Sequence, residues 1–265
     1  NYYYPDLPKN FQITQYDAPL CADGTLPFRV DGDERAVTID RAHLEEDPGS
    51  LQHAGGSIDT ADYTLVNYNR AGTPLMEIVT APEFRGAEEV RSFLAKLEEV
   101  LEYLGVFDST RDGSLRIDAN LSIVEREAID DDGSIPQETL EAANRTEVKN
   151  ISSHKGAQKA LAYEETRQKN AIRRGREVEQ ETRHWDESRG ITVSMRSKEE
   201  EKDYRYFREA DLPPLRVSGW KDEISIPELP DARRDRFQRE YDLSAEAASK
   251  LTSRKAVADL FEDVA

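Results

Sequence analysis

The chain has 265 residues and carries 54 Asp and Glu against 36 Lys and Arg, which gives a formal net charge of −18. This charge disfavours general binding to nucleic acid, and no apolar run approaches the roughly 18 residues of a membrane-spanning helix. The single cysteine, Cys21, excludes an intrachain disulfide and a cysteine-based metal cluster.

The acidic excess also bears on the environment of the protein. Its cations are mostly Arg, and carboxylate excess with few Lys is typical of salt-adapted cytosolic proteins. Molar salt shortens the Debye length to about 3 Å and so screens the self-repulsion of such a chain. We therefore expect a cytoplasmic protein from a halophilic source; the alternative is an ordinary acidic protein.

The first 80 residues or so are predicted to form strands and turns. Asp31-Gly32 indicates a hairpin between the strand segments 28–30 and 35–39. Further strands are predicted at 64–68 and 75–79. Next, apolar residues recur at three- and four-residue steps from Val90 to Leu104, which predicts a helix that ends at Gly105.

The second half is predicted to mix both element types. Apolar and polar residues alternate over 115–123, which indicates a half-buried strand with one polar face. We expect an acidic surface loop over 127–143, a strand over 147–151, a helix over 154–174, and strands and turns over 181–220. Pro227 and Pro230 are predicted to mark a linker before a helical end. Because regular βαβ alternation is absent, the pattern favours an α+β fold with a mainly antiparallel sheet.

Several segments carry motifs of specific order, and packing alone does not explain the order of the polar run that begins at Ser194. His43–Gly49 reads HLEEDPG and Asn69–Val79 reads NRAGTPLMEIV, and the others are Tyr2–Lys9, Ser114–Asn120, Glu147–Asn150 and the run from Ser194 to Phe207 that continues to Pro214. In these segments the chain resembles the B subunit of the aspartyl/glutamyl-tRNA amidotransferases. The resemblance implies a cradle-shaped catalytic domain, similar in fold to glutamine synthetase and the guanidino kinases, over 1–222. Residues 223–265 would begin a helical domain, and the first part of the cradle and the tail domain would be absent.

Two carboxylates are candidate metal ligands. Glu77 lies in an otherwise apolar strand, where an isolated carboxylate is costly unless it is paired or binds a cation. The alternative is that Glu77 faces solvent from a half-exposed strand. The resemblance implies that Glu46 and Glu77 bind Mg²⁺, together with a Glu and a His from an N-terminal segment outside this sequence. We therefore expect the two carboxylates to share one cation.

The strand over 114–120 supplies a second candidate group. Arg116, Asp118 and Asn120 share one face by the period of two, and a solvated face is the alternative. The resemblance implies catalytic roles for Asp118, Lys149 and Arg205. It implies substrate or phosphate binding by a further set of residues, which are Arg70, Arg116, Asn120, Arg196 and Lys198. Interdomain ion pairs or partner contacts are the alternative for several of these cations. We expect the Asp118 face and Glu77 to open onto one cavity.

The activity implied by the resemblance uses ATP and Mg²⁺. The side-chain carboxylate of Asp-tRNA(Asn) or Glu-tRNA(Gln) would be phosphorylated and then amidated with ammonia. A partner glutaminase, the A subunit of the complex, would release the ammonia, and a small C subunit would complete a heterotrimer. Two alternatives remain open: a non-catalytic protein for tRNA binding or assembly, and the glutamate-specific archaeal paralogue known as the E subunit. The stretch over 125–145 is too short for the domain inserted in that paralogue.

Overall fold

The computed structural model of the chain describes residues 1–3, 7–55, 61–111, 114–130, 133–197 and 205–265. Within them the strands are β1 (Tyr2–Tyr3), β2 (Phe11–Gln12), β3 (Cys21–Val30), β4 (Asp33–Glu46), β5 (Ser50–His53), β6 (Thr64–Asn67), β7 (Pro74–Thr80), β8 (Ile117–Leu121), β9 (Thr146–Ile151), β10 (Glu181–Asp186) and β11 (Ile191–Ser197). The helices are α1 (Ala87–Tyr103), α2 (Gln137–Ala142), α3 (His154–Arg173), α4 (Trp220–Glu223), α5 (Pro230–Glu240), α6 (Ala245–Thr252) and α7 (Lys255–Val264). In these described residues, no helix has the length and apolar character needed to cross a membrane.

The chain divides into two compact units. Unit one consists of Asn1–Leu26, Ala36–Glu83 and Glu199–Lys221. Unit two consists of Pro27–Arg35, Phe84–Lys198 and Asp222–Ala265. The predicted division into 1–222 and 223–265 stays a prediction.

Strands β3, β4 and β7 form a three-stranded sheet in that order. The predicted hairpin between β3 and β4 is confirmed, and its two turn residues have positive φ, 51° at Asp31 and 97° at Gly32. This is the conformation that a two-residue type I′ turn requires, and Asp-Gly adopts it at low cost. Strands β1 and β2 form a small sheet, as do β5 and β6.

Unit two contains a four-stranded sheet in the order β11-β10-β9-β8. Its pairs are antiparallel except for β9 and β10, which are parallel and are joined through α3. The α+β class with mainly antiparallel sheets is therefore confirmed, with one βαβ crossover that the sequence pattern did not show. Helix α3 buries Ala157, Ala160 and Leu161, and the sheet buries Val148 and Ile151.

A β-bulge in β9 determines which of its side chains face the buried side of the sheet and which face the polar side. Ile117 pairs with Ile151 and Ala119 pairs with Val148, so that Asp118 lies opposite two residues, Lys149 and Asn150. Asn150 has a left-handed backbone with φ of 65°. Because a bulge adds one residue, it moves Ile151 back to the buried side and leaves Lys149 and Asn150 on the polar side.

The helical parts differ from the sequence predictions at two points. The segment 127–143 is not loop throughout, since it contains a 3-10 turn (Arg126–Ala128) and α2, neither of which has a buried residue. An exposed helix of this length shows no apolar period, which is why it was not predicted. Pro230 is the first residue of α5 and not part of a linker, as proline suits the first turn of a helix.

A buried carboxylate joins α3 to the four-stranded sheet. Glu164 is fully buried and accepts hydrogen bonds from Arg167 Nε at 2.9 Å, Gln168 Nε2 at 3.0 Å and Thr192 Oγ1 at 2.8 Å. Burial alone would raise the pKa of Glu164, but these hydrogen bonds outweigh it, and the pKa lies below its usual value.

We predict that Glu164 makes stability depend on pH. Because its pKa is lowered by folding, its contribution is complete above the unfolded pKa of about 4.3 and is lost as pH falls through the folded value. Replacing one member of a buried charged network costs about 3 kcal/mol. Denaturation of the wild type and Glu164→Gln should therefore differ most at neutral pH and converge as pH falls below about 4.3. A difference that does not change with pH would contradict this.

We predict that the backbone conformation of Asn150 accounts for most of its contribution to stability. Asn150→Gly keeps a residue that adopts positive φ freely, so the free energy of unfolding should change by at most about 0.5 kcal/mol. Asn150→Val places a β-branched side chain in the left-handed region and should cost about 2 kcal/mol. Urea denaturation measures both variants; equal losses would show that the bulge does not need a left-handed residue.

Candidate functional site

Strands β4 and β7 bring three ligand-type side chains to one face of unit one. The strands are antiparallel, with His43 opposite Glu77 and Glu45 opposite Leu75. Side chains alternate between faces along a strand, so Glu45 lies on the same face as His43. We use the name β4–β7 cluster for three side chains on this face. They are the directly opposed His43 and Glu77, and Glu45, which follows His43 by two residues.

The β4–β7 cluster is tight enough to hold one cation. His43 Nε2 lies 3.3 Å from Glu45 Oε1 and 3.7 Å from Glu77 Oε2. One ligand atom from each of the three side chains lies within 4.8 Å of the other two. His43 is 1% exposed, whereas 47% of the Glu77 side chain is exposed, so the cluster opens to solvent on the Glu77 side.

The electrostatics of the cluster fit a cation-binding role. Burial, and then the charge of Glu45, raise the pKa of Glu77 to about 6. Burial also lowers the pKa of His43, which keeps the imidazole neutral and available as a ligand. Two carboxylates that repel each other beside a neutral imidazole are stabilised by a divalent cation, which removes the repulsion.

The structure does not bring the carboxylates of Glu46 and Glu77 together, contrary to the expected pairing. Glu46 is the residue after Glu45, so the alternation places its side chain on the other face of β4. There its Oε1 is ion-paired with Lys9 and lies 3.4 Å from the backbone nitrogen of Ile13. Glu45 takes the expected position of Glu46 beside Glu77. A metal-binding role for Glu46 stays a prediction from the resemblance, whereas the strand pairing favours Glu45 in that role.

Arg70 is held at the end of the same strand pair. Its Nε lies 3.0 Å from Oδ2 of Asp47, a carboxylate that is 1% exposed. Asp47 Oδ1 also accepts a hydrogen bond of 2.9 Å from the backbone nitrogen of Gly49. The Arg70 side chain remains 43% exposed, so Asp47 orients a guanidinium that solutes can reach.

A stack of cationic and aromatic side chains adjoins the β4–β7 cluster. Arg41 precedes His43 by two residues, and its Cζ lies 5.0 Å from the ring centre of Tyr16. The rings of Tyr16 and Tyr206 stack at 4.7 Å with an angle of 16°. Arg41 is not among the residues predicted from the sequence motifs. The polar alternation of Arg41, His43 and Glu45 along β4 is the signal that would have identified it.

Arg205 lies in the tyrosine-rich segment of unit one. Its backbone has a positive φ of 49°, and its Cζ lies 5.4 Å from the ring centre of Tyr3. The next residues are tied to the start of the chain, since Phe207 exchanges two backbone hydrogen bonds with Asn1, of 3.0 and 2.8 Å. Arg205 is thus placed against the N-terminal strand.

In unit two, Asp118 and Lys149 meet on the polar face of the four-stranded sheet. Lys149 Nζ lies 3.4 Å from Asp118 Oδ2 and 3.6 Å from Glu147 Oε1. The packed surroundings of Asp118 raise its pKa and Lys149 opposes that rise, although 49% of the Asp118 side chain is exposed. Lys149 follows Val148, which pairs with Ala119, so the regular alternation already places Lys149 opposite Asp118.

The other predicted residues of unit two are placed as follows. Arg116 and Asn120 are exposed, and Asn120 pairs with Glu147 in register. Asn150 Nδ2 lies 2.6 Å from His184 Nδ1 beside them. The backbone of Arg196 lies opposite Thr182 in β11, and its side chain, like all of Lys198, lies outside the described residues. The β4–β7 cluster and the Asp118 group belong to different units, so their convergence on one cavity stays a prediction.

Comparisons with known proteins agree with the motifs. Residues 1–221 match the family model described as the GatB/GatE catalytic domain. Three relatives are named as the B subunit of aspartyl/glutamyl-tRNA(Asn/Gln) amidotransferase. The protein of Natronomonas pharaonis is 80% identical over 265 residues, which are 100% of this chain and 53% of that protein. The protein of Haloquadratum walsbyi is 74% identical over 265 residues, which are 100% of this chain and 53% of that protein. The protein of Methanosarcina barkeri is 51% identical over 266 aligned residues, which cover 100% of this chain and 50% of that protein.

The chain thus spans about half the length of the curated relatives it matches. Its own length is covered completely in each comparison. The family model alone matches most of the chain, residues 1–221 of 265. These findings confirm the resemblance seen in the motifs: the chain belongs to the GatB/GatE catalytic domain family.

Proposed function

We propose that this chain carries the ATP-dependent chemistry of a tRNA-dependent amidotransferase. The substrate is Asp attached to tRNA(Asn), Glu attached to tRNA(Gln), or both. The observation that supports the proposal is the β4–β7 cluster, in which one ligand atom each from His43, Glu45 and Glu77 lies within 4.8 Å of the other two. A half-buried carboxylate of raised pKa in an otherwise apolar strand favours a catalytic protein over one that only binds tRNA or aids assembly.

The reaction proceeds in two displacements. A carboxylate oxygen of the substrate attacks the γ-phosphorus of ATP, the bond to the bridging oxygen breaks, and ADP leaves. Ammonia then attacks the acyl carbon, the bond to the phosphorylated oxygen breaks, inorganic phosphate leaves, and nitrogen loses a proton. Phosphorylation replaces hydroxide, a poor leaving group, with phosphate. The ammonia comes from a glutaminase, the A subunit of a complex that also contains a small C subunit.

His43, Glu45 and Glu77 fit a Mg²⁺ ion. Carboxylate oxygens are the ligands that Mg²⁺ prefers, and the exposed side of Glu77 leaves room for nucleotide phosphates. Bound there, the ion would neutralise charge on the phosphates during transfer. The protein contributes a rigid strand pair that holds two carboxylates together before the nucleotide arrives, which lowers the cost of reorganisation in the reaction.

The predicted residues of unit two are assigned to contacts with the phosphoryl group and the substrate. Lys149 carries a positive charge that suits a phosphoryl oxygen, and Asp118 fixes its ammonium from the neighbouring strand. Arg116 and Asn120 flank this pair as substrate contacts. We assign a catalytic role to Arg205, and substrate or phosphate binding to Arg70, Arg196 and Lys198. Of these, Arg70 has the support of a buried orienting carboxylate, Asp47.

The paralogue and the source are inferred from different observations. The family description covers both GatB and GatE, while the relatives cited above are named as the B subunit. The stretch over 125–145 has no room for the inserted domain of the E-type paralogue, so we assign this chain to the B type. The net charge of −18 supports a halophilic, cytoplasmic protein whose tRNA contacts are few and local.

We predict that Glu77→Gln in the full-length protein, assembled with its partners, lowers amide formation on Asp-tRNA at least about a hundredfold. An amide oxygen is a neutral and weaker ligand for Mg²⁺. Glutamine hydrolysis by the partner glutaminase should continue, because the variant does not alter that protein. Amide formation and glutamate release are measured in the same reactions.

The two neighbouring glutamates provide the matched comparison. Glu45→Gln should reduce amide formation as Glu77→Gln does, and Glu46→Gln should reduce it much less, because Glu46 lies on the other face of β4. Thermal melting of each variant excludes unfolding as the cause. Unchanged amide formation in Glu77→Gln would refute the proposed role of the cluster.

A further inference from the structure

Arg41 lies on the same face of β4 as the β4–β7 cluster. It is opposite Val79 in the register, and the irregularity in this strand pair falls before it, between Ile39 and Arg41. From Arg41 onward the alternation is regular, so Arg41, His43 and Glu45 point to one side. A guanidinium thus stands next to a group of ligands suited to a divalent cation.

The aromatic stack restricts where this guanidinium can lie. Its Cζ lies over the ring of Tyr16, 5.0 Å from the ring centre, and the ring of Tyr206 stacks on that of Tyr16. Stacking engages the flat face of a guanidinium and leaves the N–H groups at its edge available for hydrogen bonds in the plane. The stack therefore fixes the group without using its donors.

The donors of Arg41 are not satisfied within the part of the chain that the structure describes. Its Nε is buried and has no hydrogen-bond acceptor. No ion pair joins its guanidinium to a carboxylate of a described residue. A buried donor without a partner is costly, and such groups in native proteins generally have a partner in the functional state.

Charge balance alone does not explain this arrangement. If Arg41 served only to neutralise the acidic cluster, its lowest-energy position would be an ion pair with Glu45 or Glu77. Instead the guanidinium is held on Tyr16, beside the carboxylates but not bonded to them. A cation site and an arginine with free donors on one strand face form the arrangement that binds phosphoryl groups, where the metal ion and the arginine contact different oxygens.

We propose that Arg41 binds a phosphoryl oxygen of the nucleotide that the β4–β7 cluster holds through its cation. This inference rests on the proposed function and adds a residue that touches the substrate. Tyr16 and Tyr206 are positioning residues that keep the guanidinium directed at the phosphate. The bound anion supplies the missing acceptors of Arg41.

Nucleotide binding tests this inference apart from activity. In the full-length protein assembled with its partners, ATP affinity is measured by equilibrium dialysis, once with Mg²⁺ and once with EDTA. Arg41→Met should weaken ATP binding about tenfold or more in both conditions, because a charged hydrogen bond to phosphate is lost. Arg41→Lys should bind with intermediate affinity, since it keeps the charge but not the planar fork. Adenosine, which lacks phosphate, should bind all variants equally.

Arg29→Met is the matched control. It makes the same change in charge at an exposed residue that pairs with Glu34, and its ATP affinity should equal that of the wild type. Thermal melting confirms that Arg41→Lys and Arg41→Met are folded. Wild-type ATP affinity in Arg41→Met would overturn the inference, as would an equal loss of adenosine binding.

The results also separate this inference from the proposed function. Full activity in Glu77→Gln with weakened ATP binding in Arg41→Met would refute the role of the cluster and retain that of Arg41. Loss of activity in Glu77→Gln with wild-type ATP affinity in Arg41→Met would retain the role of the cluster and refute that of Arg41. A wild-type complex that does not bind ATP would refute both.

Discussion

The register between β4 and β7 determines which side chains of unit one can act together. With His43 opposite Glu77, the alternation of an antiparallel pair places Arg41, His43, Glu45 and Glu77 on one face. A shift of one residue would replace this set with Ala42, Leu44 and Glu46 and would remove His43 and Glu45 from the face of Glu77. The β4–β7 cluster and the arginine beside it both depend on this single pairing.

In unit two, a β-bulge determines which side chains of β9 are buried. The sheet must bury Val148 and Ile151 against α3, yet these residues are separated by an odd number of positions. The left-handed residue Asn150 resolves the conflict, because the bulge adds one residue and lets both side chains enter the core. The packing of Ile151 against α3 therefore depends on a backbone feature that lies next to the contact between Lys149 and Asp118.

Local patterns in the sequence predicted most of the elements. The Asp31-Gly32 turn, α1 and its end at Gly105, and the crossover helix α3 follow from turn chemistry and apolar periodicity, which act over a few residues. Glu77 was identified because a carboxylate in an apolar strand is costly. The choice between Glu45 and Glu46 was not available from sequence, since it depends on pairing with β7, a strand that is distant along the chain. The bulge at Asn150 and the parallel pairing of β9 with β10 likewise depend on non-local contacts.

The most direct test of the account is to locate the cation itself. A crystal of the full-length protein grown with Mn²⁺ would show the ion by its anomalous scattering. We predict a peak within about 2.5 Å of carboxylate oxygens from both Glu45 and Glu77, with His43 Nε2 as a further ligand. A peak bound to Glu46 and distant from Glu77, or no peak at the β4–β7 cluster, would contradict the account.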